Sequence, residues 1–314
     1  MKSKIIVGTR GSKLALWQAG HIADRLRQLN PGLTVELQRI VTTGDKILDV
    51  PLAQIGGKAL FTKELELAML AGEIDLAVHS LKDMPTELPQ GLTLAATTER
   101  LDPYDAFISC KVRSVRDLPN GATMGTSSLR RKAQLLRLRP DLNIVNLRGN
   151  LDTRLQKLDE GQFDAIVLAA AGLRRLGWSS RISELLSAED CLPAVGQGVL
   201  AIETRADDPD VLSLVAQLDD AATRSCVTAE RRFLDVVQGG CQAPIGVYAR
   251  FDEAKLVLKA RILSLDGARC VEGAIIGESD NSAKMGQELA ERLLNEGARQ
   301  ILAEIGLGNP PVGQ

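Results

Sequence analysis

A strand, turn and helix pattern that occurs twice is the feature that most constrains the fold of this chain. Residues 4–26, KIIVGTRGSKLALWQAGHIADRL, begin with a short apolar strand and pass through a Gly-Thr-Arg-Gly-Ser turn. Apolar residues then recur three and four apart, which predicts an amphipathic helix. Residues 122–136, ATMGTSSLRRKAQLL, repeat the same plan. The pattern therefore predicts two α/β units that are built in the same way.

Two further matches follow each copy in the same order. A strand that ends near a basic residue occurs at 33–40, LTVELQRI, and again at 142–149, LNIVNLRG. A tight turn then leads into a nearly all-apolar strand at 72–78 and at 161–167, and such strands are typical of buried parallel sheets. We interpret the series as two βαβαβ units related by duplication, although any two α/β domains share patterns of this kind.

The rest of the pattern predicts three domains. The crossover between the first two lies near residues 99–103, and a strand at 199–204 is expected to return to the first sheet. A small α+β domain is predicted after these two. It begins with a helix that runs through Val237, continues with three strands at 245–251, 255–265 and 269–277, and ends with a long helix at 282–305. We therefore predict the α/β fold class, with two doubly wound domains and a third, smaller α+β domain. The first domain is expected to comprise 1–99 and about 199–218, the second 100–198, and the third 219–314.

The composition argues against several classes of function. The 314 residues contain 38 Lys and Arg against 40 Asp and Glu, with 3% aromatic residues, so neither nucleic acid nor a membrane is expected as a partner. Five cysteines form no CxxC pair, which argues against a disulfide framework and a metal site. Because the amino terminus lacks a signal-peptide pattern and the longest apolar run is only 165–173, we expect a cytoplasmic protein.

Basic residues concentrate between positions 130 and 154, where seven face two acids. A solvated surface is the usual explanation for a charge run, and we expect it for Arg137 and Arg139. Arg130, Arg131 and Arg148 are predicted instead where parallel strands end and helices begin. That is the place where α/β proteins bind anions.

The first copy has an equivalent turn, with Arg10 and Ser12. Hydroxyl groups of Thr126 and Ser128 add hydrogen bonds in the second copy, so we predict two facing anion sites across a cleft. Guanidinium groups suit carboxylates as well as phosphates. Since neither GxxxxGKS nor GxGxxG occurs, the residues alone leave the ligand open.

The segment HSLKDMP, residues 79–85, follows the third strand of the first unit. Strand ends in this fold face the cleft, which makes Lys82 and Asp83 candidates for ligand contact. A carboxylate in that place can stabilise a developing cation or exchange a proton. A plain surface turn before Pro85 is the alternative interpretation.

Cys241 lies in GGCQAPIG, residues 239–246, on the connection between a predicted helix and a predicted strand. Gly239 or Gly240 is expected to adopt the left-handed conformation that ends a helix. Neither glycine carries a side chain that would block a bulky group near the sulfur.

The motifs GTRGS, HSLKDMP, GTSSLRR, LRGN with LDTR, and GGCQAPIG occur in this order along nearly the whole chain. In order and spacing the chain resembles the porphobilinogen deaminase family, also called hydroxymethylbilane synthases. The resemblance implies two periplasmic-binding-protein-like domains, a third domain and a monomer. It also implies a transferase of haem biosynthesis that joins four porphobilinogen molecules head to tail into the linear tetrapyrrole hydroxymethylbilane and releases ammonia.

The resemblance also implies roles for individual residues. Cys241 carries a dipyrromethane cofactor through a thioether, and Asp83 stabilises positive charge as ammonia leaves the substrate to give an azafulvene-like species. No metal is implied. The residues expected to hold the carboxylates of cofactor and substrate are Arg10, Ser12, Ser80, Lys82, Thr126, Ser128, Arg130, Arg131, Arg148 and Arg154.

Two other functions stay open at this point. A solute-binding module would explain the arginines but not Cys241. A cysteine hydrolase would pair Cys241 with His79, but no third group that would orient the imidazole is identifiable.

Overall fold

A five-stranded sheet forms the first domain in the computed structural model, which describes residues 2–46, 62–240 and 243–307. Its strands are β1 Lys4–Thr9, β2 Thr34–Arg39, β3 Leu76–Ser80, β4 Leu92–Thr97 and β10 Leu200–Arg205. The order is β2-β1-β3-β10-β4. The described helices that accompany it are α1 Lys13–Leu29, α2 Thr43–Lys46, α3 Lys63–Leu70 and α7 Pro209–Ala216. The central strand β3 is apolar on both faces because helices α1 and α3 both pack against it.

The second domain repeats this arrangement. Its strands are β5 Asp105–Ile108, β6 Thr123–Gly125, β7 Asn143–Val145, β8 Ala165–Ala169 and β9 Glu184–Leu186, and its helices are α4 Leu129–Leu138, α5 Leu151–Asp159 and α6 Ala170–Arg175. The order β7-β6-β8-β5-β9 matches that of the first sheet strand for strand. The expected pair of similar α/β domains is therefore confirmed.

The expectation of parallel sheets needs a correction, because both sheets are mixed. Strand β10 runs antiparallel to β3 and β4, and β5 runs antiparallel to β8 and β9. Each of these two strands directly follows a segment that crosses from one domain to the other. The strand therefore enters its sheet without the helical crossover that parallel pairing requires.

The third domain packs helix α8, Ala221–Val236, and helix α9, Ser282–Leu293, against a three-stranded antiparallel sheet. The strands are β11 Ile245–Asp252, β12 Lys255–Leu263 and β13 Cys270–Gly277. Phe233, Leu258 and Leu289 belong to its buried core. The predicted single helix over 282–305 is wrong in one respect. It is interrupted by a π turn at Leu294–Ala298, where Gly297 has φ 114°, before α10, Arg299–Glu304.

Arg100 and Glu230 connect the third domain to the segment between the first two. Nη2 of Arg100 donates to Oε1 of Glu230 at 2.7 Å, and Nη1 donates to the carbonyl of Gln197 at 3.0 Å. The buried Glu230 carboxylate also accepts from the backbone N–H groups of Gly196 and Ala249. A charged group this deep in the protein is tolerated because each carboxylate oxygen has a donor.

No helix within the described ranges is both long enough and apolar enough to cross a bilayer.

Candidate functional site

A cleft of about 510 Å³ lies between the two α/β domains, where strands of both sheets end. It is strongly basic, since eight cationic side chains and only two carboxylates, those of Asp83 and Asp152, are among its described lining residues. The cationic residues are Arg10, Lys13, Arg39, Lys82, Arg131, Arg148, Arg154 and Arg175. A cleft of this charge is suited to a ligand that carries several negative groups.

On the wall formed by the first domain, the turn from β1 into α1 places Arg10 and Ser12 in the cleft. The hydroxyl of Ser12 caps α1 by accepting from the backbone N–H of Ala15 at 3.3 Å. Ser80 ends β3 and also lines the cleft, and its hydroxyl accepts from Nε2 of Gln18 at 2.9 Å. These hydrogen bonds hold the turn and the strand end in place beside the cleft.

Lys82 and Asp83 lie on the single 3₁₀ turn Leu81–Asp83 that follows β3, and both line the cleft. The buried Leu81 anchors the turn. Nζ of Lys82 donates to Oε1 of Gln197 at 3.3 Å. Burial, helped by the positive charges of Arg131 and Arg130, lowers the pKa of Lys82 to about 8 against the opposing effect of Asp83 and Asp105. Asp83 itself is exposed within the cleft.

A buried carboxylate, Asp105, holds Arg130 and Arg131 together behind the cleft. Its Oδ1 accepts from Nε and Nη2 of Arg131 at 3.0 and 2.7 Å, and its Oδ2 accepts from Nη1 of Arg130 at 2.7 Å. Burial opposes ionisation of Asp105, but the two guanidinium groups outweigh it and hold the pKa of this carboxyl well below its usual range. Arg131 is thereby fixed on the wall of the cleft.

Three other predicted ligand residues are not among the described residues that line the cleft, namely Thr126, Ser128 and Arg130. Nη1 of Arg130 is also used by the carbonyl of Leu192 at 2.7 Å. The hydroxyl of Thr126 accepts from the N–H of Ser128, whose hydroxyl caps α4 by accepting from the N–H of Arg131. All three therefore shape the loop and helix that carry Arg131.

Arg148 and Arg154 are the cleft residues whose positive charges are least compensated among the described contacts. Nη1 of Arg148 is buried and has no hydrogen-bond partner within the described part of the chain. Nε of Arg154 donates to the carbonyl of Gly149 at 2.7 Å. Burial and the neighbouring charges of Arg131 and Arg148 lower the pKa of Arg154 to about 10, despite the opposing charge of Asp83. A bound carboxylate would relieve both the missing hydrogen bond and the repulsion.

Sequence reasoning did not identify Lys13, Arg39 and Arg175 as cleft residues. Nη2 of Arg175 donates to the carbonyl of Gly198 at 2.8 Å, and burial lowers the pKa of Arg175 to about 10. A signal for Arg39 was present, because both copies of the repeat have a basic residue near the end of the second strand. Lys13 pairs with Asp152 at 3.3 Å across the mouth of the cleft.

The expectation that Arg139 is merely solvated is wrong. Its guanidinium pairs with Asp141 and donates to the carbonyls of Val115 and Leu118 at 3.2 and 3.0 Å. Arg139 therefore connects the end of α4 to the loop that precedes β6. Arg137 is exposed, as expected.

Cys241 lies outside the described residues, but the segments on either side of it are described. Helix α8 ends at Val236, and Gln238, with φ 51°, takes the left-handed conformation that had been expected for Gly239 or Gly240. Gly239 is needed instead for close packing, since a Cβ there would lie 2.7 Å from Cδ1 of Ile245. Gly240 is exposed, and a Cβ there would meet no atom of the described residues within 4 Å.

His79 is not available as the base of a cysteine hydrolase. Its Nε2 lies 3.0 Å from Oε2 of the fully buried Glu203, and His79 itself is buried beneath the strand end. The imidazole is therefore part of a buried polar pair in the first sheet, and it is not among the described residues that line the cleft.

The sequence comparisons with known proteins cover nearly the whole chain. Residues 5–213 match the family model described as porphobilinogen deaminase, dipyromethane cofactor binding domain, and residues 224–295 match the model of the porphobilinogen deaminase C-terminal domain. Porphobilinogen deaminase of Syntrophobacter fumaroxidans is 50% identical over 97% of this chain and 99% of its own. That of Roseiflexus sp. is 53% identical over 96% and 100%. A periplasmic substrate-binding protein structure from Coxiella burnetii covers 70% of this chain and 94% of its own, at 16% identity and a TM-score of 0.45.

Proposed function

This chain belongs to the porphobilinogen deaminase family, and we propose that the basic cleft between its two α/β domains is where the reaction takes place. The reaction is the polymerisation of porphobilinogen into hydroxymethylbilane in tetrapyrrole synthesis. Each porphobilinogen unit brings two carboxylates and loses one ammonia. The growing product is therefore a polyanion, which gives a physical reason for eight cations in one cleft.

The observation that carries this proposal is the buried Nη1 of Arg148, which has no hydrogen-bond partner among the described residues. It lies in a cleft that also contains Asp83. The described residues fit the dipyrromethane cofactor of the family, because two pyrroles bring four carboxylates to a site with a buried, unpartnered Nη1. When bound, dipyrromethane supplies the free pyrrole carbon to which the first substrate is joined. We propose that Cys241 carries it through a thioether.

The cleft residues divide into groups that contact carboxylates and groups that position them. Direct contact is proposed for Arg10, Ser12, Ser80, Lys82, Arg131, Arg148, Arg154 and Arg175. Arg130 acts with Asp105 to hold Arg131, and Thr126 and Ser128 shape the start of α4. Because the carboxylate of Asp105 and the hydroxyls of Thr126 and Ser128 already hold these elements in place, little reorganisation is required when an anion enters.

Asp83 is the proposed catalytic residue. The departure of ammonia from the substrate leaves a positive charge on the pyrrole system, and Asp83 is one of two described carboxylates in a cleft of eight cations. A carboxylate at that place stabilises the cationic transition state more than the neutral ground state. The surrounding arginines bind carboxylates and cannot perform this role.

Intact-mass measurement with porphobilinogen tests this function directly. The purified chain is expected to carry the mass of two pyrrole units. It should then show a ladder of one to four further units on brief exposure to substrate, with one ammonia released for each. A chain of unmodified mass that releases no ammonia would favour the solute-binding interpretation.

The Arg148→Leu variant is expected to be impaired in assembly of the cofactor or in elongation of the pyrrole chain. The substitution removes a charge-assisted partner worth about 1.5–3 kcal/mol for each carboxylate, which corresponds to roughly 10- to 150-fold in affinity. Arg137→Leu, on the exposed face of α4, is the matched control and should stay near wild-type. The measurement is kcat/KM together with cofactor content by mass. Equal effects of the two substitutions would refute the separation of the cleft from the surface.

The value of kcat/KM is expected to fall as the pH rises through about 8. Lys82 has a pKa of about 8, so it is a cation below that pH and loses its attraction for carboxylates above it. If the charge is required, the fall is about 10-fold between pH 7 and pH 9. In Lys82→Arg the charge persists, so this fall should disappear. An unchanged descending limb in that variant would assign it to another group.

Three further expectations stay predictions. We propose the division 1–99 with about 199–218, 100–198 and 219–314 as the domains, a cytoplasmic location, and a monomer. Sedimentation equilibrium at micromolar concentration would test the monomer, and a mass near twice the 33.8 kDa of the chain would contradict it.

A further inference from the structure

Arg39 ends β2 at the rim of the cleft, on the edge strand of the first sheet. Its guanidinium lies against the backbone of Gly11, because a Cβ built on Gly11 would be only 2.5 Å from Nη2 and 3.4 Å from Cζ of Arg39. Gly11 lies between Arg10 and Ser12 in the turn that forms one wall of the cleft. Because position 11 carries no side chain, the guanidinium of Arg39 lies directly against the backbone of this turn.

No carboxylate pairs with Arg39 within residues 2–46, 62–240 and 243–307. Some exposed arginines elsewhere do have acidic partners, such as Asp24 for Arg27 and Asp159 for Arg181. Of the two described carboxylates in the cleft, Asp152 is paired with Lys13. Arg39 therefore adds a charge to an already basic cleft without a matching acid.

The residues that follow Arg39 supply an apolar surface beside this charge. Ile40 and Val41 both line the cleft, and Val41 is 64% exposed. A guanidinium next to exposed aliphatic groups matches a pyrrole, which has an apolar ring face and carboxylates at its edge.

We propose that Arg39, seated on Gly11, forms an outer subsite that binds an acetate or propionate of the growing oligopyrrole in the later rounds of elongation. This inference rests on the proposed function. Strand β2 is separated from β3, which leads to Asp83, by β1, so the two strands are about 9–10 Å apart. Arg39 is therefore offset from Asp83, so the subsite would take a pyrrole unit other than the one that reacts at Asp83.

Chemical protection of Arg39 tests the subsite without relying on activity. The primed enzyme, before and after loading with three or four substrate units, is treated with phenylglyoxal, and modified peptides are quantified by mass. Modification of Arg39 should fall about 10-fold or more on loading, as expected for a charge-assisted contact. Modification of the exposed Arg137 should not change. Unchanged modification of Arg39 in the loaded enzyme would overturn the proposal.

Two variants test the same point by different means. Arg39→Gln removes the charge, while Gly11→Ala keeps it but places a Cβ where the guanidinium lies. In Arg39→Gln the later additions should slow about 10-fold, so that enzyme carrying the later intermediates accumulates, while the first addition stays within about two-fold of wild-type. In Gly11→Ala, which also alters the turn that carries Arg10 and Ser12, the later additions should slow more than the first. Arg137→Gln is the control. Equal slowing of every addition, or of none, would contradict an outer subsite.

The two proposals fail in different ways. If the wild-type chain forms no series of enzyme-bound intermediates with one to four added units, the proposed function is wrong, and the proposal of the subsite is then wrong as well. If the series forms normally but Arg39 stays unprotected, only the subsite is wrong.

Discussion

Cys241→Ala is expected to give a folded chain with no dipyrromethane and no detectable turnover. The substitution removes the proposed attachment point for the primer, and without a primer the first substrate has no pyrrole to join. Because Gly240 is exposed and the neighbouring core position is already filled by Ala243, a small residue at position 241 should not disturb the core.

The other cysteines are poor substitutes for Cys241. Burial raises the pKa of Cys191 to about 12 and that of Cys226 to about 11, so neither provides a reactive thiolate at neutral pH. Burial also raises the pKa of Cys270, on β13. Cys110 is exposed, but it follows β5 and is not among the described residues that line the cleft.

Intact mass and ammonia release check this expectation, with Cys110→Ala as the control. The control should retain both the two-pyrrole increment and activity near the wild-type value. A Cys241→Ala chain that carried a covalent adduct at another residue and remained active would refute the assignment.

The chain without cofactor should also unfold at a lower temperature than the primed chain. A group that is bound only by the folded state stabilises that state, and here it would partner the buried Nη1 of Arg148 and relieve repulsion between Arg148 and Arg154. Each kcal/mol lost corresponds to roughly 1.5 °C for a chain of 314 residues, at an unfolding entropy of about 2.1 cal/mol/K per residue. Equal calorimetric transitions for the two forms would contradict this expectation.

Asp83→Asn is expected to lose about 10²- to 10⁴-fold in kcat, the usual span for a positioned acid, base or charge-stabilising group. Asparagine keeps the size and one acceptor oxygen but removes the negative charge. The cationic transition state therefore loses its counter-charge, while the arginines that bind the substrate carboxylates are untouched. The effect should appear mainly in kcat, with KM changed little.

Asp152→Asn provides a matched control, because it makes the same chemical change at the other described carboxylate of the cleft. Asp152 pairs with Lys13 at the exposed mouth, where an ion pair contributes little free energy. Its rate should stay within about three-fold of wild-type. Both variants are to be compared by single-turnover mixing with porphobilinogen, after their cofactor content has been verified by mass. Near-normal ammonia release from primed Asp83→Asn would return Asp83 to the surface-turn interpretation.

The sequence alone determined much of the fold and several residues of the cleft, for a simple reason. Helix and strand periodicities are local, so a repeated strand, turn and helix could be recognised twice without tertiary information. Strands of the same direction deliver their carboxyl ends to one edge. Residues that directly follow such strands, such as Arg10, Lys82 and Asp83, could therefore be expected in the cleft, where the structure places them.

Tertiary structure alone decided which basic residues face the cleft and which lie behind it. Arg130 and Arg131 are neighbours in the chain, yet only Arg131 lines the cleft among the described residues, because both are gathered around Asp105 from a different strand. Arg39 lines the cleft with its guanidinium against Gly11, a residue of a different turn. These outcomes depend on contacts between distant segments, and on the burial that such contacts create, neither of which is encoded in any local pattern.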